Sequence, residues 1–175
     1  TGTNSVYVRD GATLAGTGII GGSVLVQSGG ILSPGNSGFG NLTINGVLSL
    51  LTGSVTRIEV FGGQLDRLTV GGIASLKGTL EMVNKSAGYT AGTSYKIITA
   101  NTISGTFDSI APAIPGEGLE WNTSRISEGI ISVDVASHIR NPETVAVQAY
   151  PQPVQDYCLL TFTENLNAQK IELCD

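Results

Sequence analysis

The chain has 175 residues, of which 13% are charged and 24 are glycines, and its formal net charge is −5. Soluble domains average about 25% charged residues and about 7% glycine, so this composition favours stacked strands joined by tight turns. The acidic balance and the lack of a basic stripe exclude a nucleic-acid partner. No apolar run approaches the roughly 20 residues of a membrane span, so we predict no membrane-spanning helix.

The first half of the chain contains four copies of one pattern: an apolar-x-apolar strand, a glycine-containing turn and a second short apolar strand. The copies begin at Val6, Val24, Leu42 and Leu68. Such strands turn two side chains to one face, and stacked copies bury those side chains in a shared column. We therefore predict a β-solenoid with these inward-facing residues: Val6, Val8, Val24, Val26, Leu42, Ile44, Leu68 and Val70.

The next strand-like runs, Ser54–Val60 and Gly78–Val83, predict that the last coils are longer and three-sided. Residues 87–137 are less regular, and residues 87–100 read as two strands around a turn. A solenoid needs a cap over its last coil, so we assign 87–137 to the cap and 1–137 to the solenoid with its cap.

The rest of the chain differs in composition, since no glycine follows Gly129. We predict a linker at 138–143 and a partial β-sandwich-like element at 144–175, with strands at Tyr157–Phe162 and Lys170–Cys174. Two strands are not independently stable in water, because about three strands or a packing partner are needed. We expect the strand pair to pack against the solenoid or to form a homodimer with a second copy of the chain.

Two cysteines, Cys158 and Cys174, lie on these strands and fall opposite each other in an antiparallel hairpin. Cross-strand Cβ atoms come near the spacing of a disulfide, which would require an oxidising compartment. Two free thiols are the alternative. Because His138 is the single histidine, the sequence predicts no metal site and no cofactor.

Two glycine motifs have catalytic counterparts but are better explained as turns. Gly16–Gly21 has the spacing of a dinucleotide-binding fingerprint, yet the strand Ser23–Val26 follows where that motif needs a helix. Gly35–Gly38 superficially resembles a serine-hydrolase loop. A nucleophilic serine needs a positioned base, and the single histidine, His138, lies in the predicted linker. We therefore predict no catalytic and no cofactor-binding residue.

Polysaccharide cleavage is the enzyme alternative, since β-helices host such chemistry. It needs two carboxylates about 5–10 Å apart across a cleft. Asp10, Glu59, Asp66 and Glu81 qualify by residue type only, and we expect them at turns or outward strand positions, where they are solvated. No paired-acid motif stands out among them.

Six segments between Gly30 and Ile98 together resemble the passenger domains of autotransporters, in particular the stretch near their C-terminal end. The segments are Gly30–Ser37, Asn41–Ile44, Leu50–Ser54, Asp66–Val70, Gly78–Leu80 and Tyr89–Ile98. The resemblance covers roughly half the chain. It implies a right-handed parallel β-helix exposed outside a Gram-negative cell.

Residues 147–175 resemble the opening of the C-terminal sorting domain of the type IX (Por) secretion pathway. The motif is carried by Val147–Tyr157, with Tyr150, Pro151 and Pro153 at its centre. Gln152 stands where the motif has asparagine, and the chain stops where the family continues for several strands. This resemblance implies an origin at the outer cell surface, and it implies no activity.

These observations predict a non-enzymatic, secreted or cell-surface structural or adhesive module of a Gram-negative bacterium, part of an adhesin-like protein. Its partner would be a surface glycan or a surface protein, met by side-wall loops on a stiff rod. The alternative is a polysaccharide-binding or polysaccharide-cleaving β-helix. A carboxylate pair lining a groove would favour the alternative, and a featureless side wall would favour the adhesive module.

Overall fold

The structure, a computed structural model, divides into two compact units, Thr1–Ala136 and Ser137–Asp175. It describes residues 4–35, 38–137, 149–150 and 159–160. The described part of the first unit consists of strands and turns with one 3₁₀ turn, Ile126–Glu128, and no α-helix. No helix in these described ranges is long and apolar enough to cross a bilayer.

The strands of the first unit follow one another at short intervals along the chain. Their bounds are β1 Val6–Val8, β2 Thr13–Gly16, β3 Gly18–Ile20, β4 Val24–Val26, β5 Ile31–Pro34, β6 Asn41–Ile44, β7 Leu48–Leu50, β8 Val55–Phe61, β9 Gln64–Leu65, β10 Arg67–Leu76, β11 Thr79–Asn84, β12 Ser94–Lys96, β13 Ile98–Gly105, β14 Ser109–Ala111, β15 Leu119–Asn122 and β16 Ile130–Val135.

Each coil contributes one strand to each of three faces. The first face stacks β1, β4, β7 and the second halves of β10 and β13. The second face stacks β2, β5, β8, β11 and β14. The third face stacks β3, β6 and the first halves of β10 and β13. All these pairs are parallel, so the predicted all-β parallel β-solenoid is confirmed, and it is three-sided from its first coil.

The inward side chains of the three faces fill the interior. In β4 and β7 the first and third residues are buried more deeply than the middle one, as the period of two requires. The eight predicted inward residues lie in this core, with Val6 partly buried in the first coil. Full burial of one such side chain contributes about 1.5–3 kcal/mol.

The four sequence copies do not form a single column, and here the prediction is wrong. Val6 pairs with Val24, and Val24 pairs with Leu48 instead of Leu42. Leu42 belongs to the third face, where it pairs with Leu68. Strands of all three faces share the apolar-x-apolar pattern, so the pattern identifies inward residues without identifying the face to which they belong.

Glycines in the left-handed backbone conformation form the corner between the first and second faces. Gly11, Gly29 and Gly53 have φ values of 72°, 75° and 81°. The N–H of Gly11 donates to the carbonyl of Gly29, and the N–H of Gly29 donates to the carbonyl of Gly53. Glycine reaches positive φ at little cost, so successive coils turn in the same way at this corner.

An antiparallel sheet of β12, β16 and β15 follows the coils. The N–H groups of Ile97 and Ile98 both donate to the carbonyl of Gly129, which joins this sheet to the last coil. β13 and β14 still pair with solenoid strands, so the section 87–137 contains coil strands as well as the sheet. Residues 87–93 form a loop instead of the first of two predicted strands, because a turn forms there, with the N–H of Thr93 donating to the carbonyl of Thr90.

One short strand pair is described in the second unit. β17 (Ala149–Tyr150) pairs antiparallel with β18 (Leu159–Leu160), which lies within the predicted strand Tyr157–Phe162. Of Tyr150 only the backbone is described. The other predicted features lie outside the described residues: Cys158, Cys174, Pro151, Pro153, His138 and the strand Lys170–Cys174. The disulfide, the sorting motif and the homodimer therefore stay predictions.

Replacing Ile44 with alanine tests the core, because this side chain has 0% exposure in the interior of the third face. The substitution leaves a cavity and should lower the free energy of unfolding by about 2–5 kcal/mol. The matched control is Ile19→Ala on the same face, where the side chain is 60% exposed. This control should cost less than about 1 kcal/mol in urea denaturation. Equal losses for the two variants would contradict the inward assignment of Ile44.

Replacing Gly78 with alanine tests the corner geometry. Gly78 has φ +72°, and a Cβ there would collide with the carbonyl oxygen of Ser54 in the coil below. Gly62 has φ +54° with open space around it. Gly62→Ala should therefore lower the free energy of unfolding only by the cost of holding alanine in the left-handed region, about 1–2 kcal/mol. We expect Gly78→Ala to cost a further 1–3 kcal/mol or so, from overpacking. Denaturation curves of the two variants measured side by side give this difference directly.

Candidate functional site

The corner between the second and third faces, here called the variable corner, is where the coils differ in length. Its connections are residue 17 in the first coil, 35–40 in the second, 62–66 in the third and 85–97 in the fourth. The other two corners hold at most four residues through these coils, and β10 and β13 pass from the third face to the first as single strands. Insertions in solenoid repeats collect on one face, which is often the binding face. The variable corner is therefore the candidate functional site.

Asp66 links two of these connections through a side-chain hydrogen bond. Its Oδ1 accepts a hydrogen bond from the N–H of Gly40 at 3.0 Å, and its Oδ2 accepts one from the N–H of Glu59 at 3.0 Å. The side chain is 1% exposed. The prediction that Asp66 is solvated is therefore wrong. The signal was present in the sequence, because Asp66 has the same parity along the strand as the inward residues Leu68 and Val70.

Burial raises the pKa of Asp66 above its ordinary value of 3.8, because the charged form loses its hydration. The two backbone N–H groups oppose this shift, since they stabilise the carboxylate. The neighbouring Glu59 raises the pKa further, and Lys85 lowers it. The 1% exposure and the two accepted hydrogen bonds identify Asp66 as a structural acceptor out of reach of a substrate.

The other three candidate acids do not join Asp66 in a shared groove. Glu59 forms an ion pair with Lys85 at 2.9 Å, and Glu81 forms one with Arg57 at 2.7 Å. Asp10 is exposed at the corner between the first and second faces, beside Gly29. Among the described residues, the four acids predicted by type therefore form no pair of free carboxylates across a cleft.

Two aromatic side chains meet at the variable corner. Phe39 in the second-coil connection stacks on Phe61 at the end of β8, with ring centroids 6.4 Å apart and planes at 15°. Phe61 is 50% exposed. Sequence reasoning missed both residues, because Phe39 and Phe61 come together only when two connections of different coils lie side by side.

A cleft of about 170 Å³ opens beside Phe61, between the β8–β9 hairpin and the loop that follows β11. Its lining includes the aromatic and polar side chains Phe61, Asn84, Ser86, Thr90, Thr93 and Tyr95. None of the lining residues is charged. In the described part of the chain, the cleft included, no group of three His, Cys, Asp or Glu side chains is placed to hold a metal ion.

The two glycine motifs lie in or beside the variable corner. Gly16 and Gly18 lie in consecutive strands, β2 and β3, and the strand β4 follows, so the fingerprint-like spacing belongs to a coil turn. Gly35 has φ 82° and its N–H donates to the carbonyl of Gly16. Asn36 and Ser37 lie outside the described residues.

No family model matches the chain. A stretch of 80 residues is 40% identical to the Adhesin BmaC autotransporter of Brucella suis biovar 1 (strain 1330), and the match covers 42% of this chain. The chain spans about 2% of the length of that curated relative. Part of the chain is thus similar to an autotransporter adhesin, as the first resemblance predicted. The type IX sorting domain stays a prediction.

Replacing Asp66 with asparagine should destabilise the fold. Asparagine keeps one acceptor oxygen, so either the N–H of Gly40 or that of Glu59 loses its partner inside the structure. One unsatisfied buried donor costs about 1–3 kcal/mol, which urea denaturation at neutral pH would measure.

The pH dependence of this loss has a definite sign. Because the pKa of Asp66 is raised in the folded chain, its contribution to stability is complete below about 3.8 and is lost as pH rises through the folded pKa. The Asp66→Asn variant does not titrate here. The stability difference between wild type and variant should therefore shrink as pH rises from about 3.5 to 7. A difference that grows with pH would contradict the raised pKa.

Proposed function

We propose that the chain is a non-enzymatic, adhesin-like module of the Gram-negative cell surface, and that it holds its partner at the variable corner. The observation that carries the proposal is that the connection at this corner grows from residue 17 in the first coil to residues 85–97 in the fourth, while the other corners hold at most four residues. Loops held on a rigid scaffold are where proteins place binding residues.

Exposed aromatic side chains also favour the variable corner as the binding site. The stacked pair Phe39 and Phe61 leaves half of the Phe61 surface in contact with water. Aromatic residues are enriched at the centres of protein interfaces, where they supply much of the binding energy. Partner binding would remove the exposed ring of Phe61 from water, and the aromatic pair would then contribute to the binding energy.

The similarity to an autotransporter adhesin supports the adhesive function and the location at the cell surface. The matching stretch is 40% identical over 80 residues, and the relative's name describes it as an adhesin. The export route through a type IX pathway is a separate proposal, which rests on the sequence of residues 147–175.

Polysaccharide cleavage is the less favoured alternative. A glycosidase uses two carboxyl groups on opposite sides of the scissile bond, both within reach of the sugar. Asp66 is buried, and the carboxylates of Glu59 and Glu81 are held by Lys85 and Arg57. Polysaccharide binding needs no such acids, and the uncharged cleft is open to it.

Attachment of coated beads to cells tests the proposal. Beads carrying the full chain should attach to cultured epithelial cells more often than beads carrying an unrelated protein. The double variant Phe39→Ser, Phe61→Ser should reduce attachment about tenfold, as loss of an aromatic hot spot does.

The control variant removes exposed apolar side chains away from the variable corner. Tyr7→Ser with Leu51→Ser changes one residue of the first face that is 60% exposed and one residue, 43% exposed, at the corner between the first and second faces. This variant should attach like the wild type. Equal attachment by both double variants, or attachment no better than with the unrelated protein, would refute the proposal.

A further inference from the structure

The cleft at the variable corner is built from two connections of different kinds. One wall is the β8–β9 hairpin with Phe61, Gly62 and Gly63. The opposite wall is the loop after β11, which brings Asn84 and Thr90 to the cleft. Ligand sites commonly combine aromatic surface with a few polar groups that fix orientation, and this cleft has both.

The carboxamide of Asn84 is held in one orientation. Its Oδ1 accepts hydrogen bonds from the N–H of Ser86 at 2.7 Å and from the Oγ of Ser86 at 2.6 Å. A backbone N–H requires an acceptor, so the oxygen faces Ser86 and the Nδ2 faces away. Within the described residues this Nδ2 donates to no group. Asn84 therefore lines the cleft with a fixed, unused donor.

The threonines of the loop add hydroxyl groups. Thr90 and Thr93 line the cleft, and their backbones form the turn in which the N–H of Thr93 donates to the carbonyl of Thr90. A hydroxyl both donates and accepts. With the amide of Asn84, the cleft thus offers neutral donors and acceptors that match hydroxyl groups on a ligand.

Charge at the rim is neutralised. Lys85 lies between two lining residues in sequence, and its Nζ is 2.9 Å from the Oε1 of Glu59. An anionic ligand would find no free cation in the lining, and a cationic ligand would find no free carboxylate there. The lining therefore favours an uncharged ligand with many hydroxyl groups.

Phe61 completes the chemistry with a half-exposed ring next to these polar groups. The C–H groups on one face of a pyranose ring pack against an aromatic ring by dispersion, and the negative face of the ring attracts them. A cleft of about 170 Å³ is smaller than the roughly 300–1,000 Å³ of sites for larger ligands. Its size suits one sugar ring.

We propose that this cleft binds a single pyranose unit of a neutral glycan, stacked on Phe61 and hydrogen-bonded to the Nδ2 of Asn84. This proposal rests on the proposed adhesive function, because it names the class of ligand that the variable corner would hold. The residues of the hairpin and of the loop after β11 act together, so binding requires both walls.

Saturation-transfer NMR on the full chain tests the proposal with defined probes. The neutral probes are the methyl glycosides of glucose, galactose and mannose, and the charged probes are methyl glucuronide and the methyl glycoside of sialic acid. We expect transfer to the ring C–H protons of at least one neutral probe and weaker transfer to the charged ones. Phe61→Ala should weaken binding of the neutral probe about tenfold, the effect of removing a central aromatic contact.

Asn84→Asp is the variant that keeps the fold. Aspartate retains the oxygen that accepts from Ser86, but it removes the Nδ2 donor and adds a negative charge, so binding should be lost while circular dichroism is unchanged. Tyr7→Ala removes an aromatic side chain on the first face that is 60% exposed and should leave binding intact.

Two results would overturn the proposal: no transfer to any neutral probe, or transfer that survives both Phe61→Ala and Asn84→Asp. If the sugar fails to bind while the Phe39→Ser, Phe61→Ser chain still loses cell attachment, the adhesive function stands and only the neutral glycan is wrong.

Discussion

Coils of a β-helix pair only when each strand meets the neighbouring coil in register, because parallel ladders use evenly spaced backbone N–H and C=O groups. Two of the three corners satisfy this constraint with short connections. At one of them, the N–H groups of Gly11 and Gly29 donate to the next coil, with positive φ at each glycine. The column of buried side chains follows from this register, since it places each inward residue over another, as Val26 over Leu50.

At the variable corner the longer loops leave the ladder over part of their length, and the backbone groups there need other partners. A backbone N–H that leaves the ladder inside the structure must find another acceptor. Asp66 supplies acceptors for the N–H groups of Gly40 and Glu59, and Asn84 supplies one for Ser86. Side chains thus take the place of ladder partners at the corner where the connections lengthen from coil to coil.

The charged side chains on the outer surface of the second face neutralise one another, and their pairing contributes little to the stability of the fold. The ion pair Arg57–Glu81 joins neighbouring strands of this face, and the pair Lys85–Glu59 joins β8 to the residue that follows β11. Both pairs remain partly exposed. Exposed pairs of this kind contribute about 0–1 kcal/mol. Their consequence at the variable corner is larger, because Lys85 and Glu59 satisfy each other and leave the adjoining cleft without net charge.

The sequence by itself determined the class of fold and the inward residues, because apolar alternation and glycine turns are local signals. It placed Ile44 and Val70 correctly in the core. Which face each strand joins was decided by the tertiary structure, since the pattern around Leu42 is the same on any face. The same holds for the site. Phe39 and Phe61 lie far apart along the chain, and the buried role of Asp66 depends on N–H groups from two other segments. Only stacking of coils with unequal connections brings these residues to one corner.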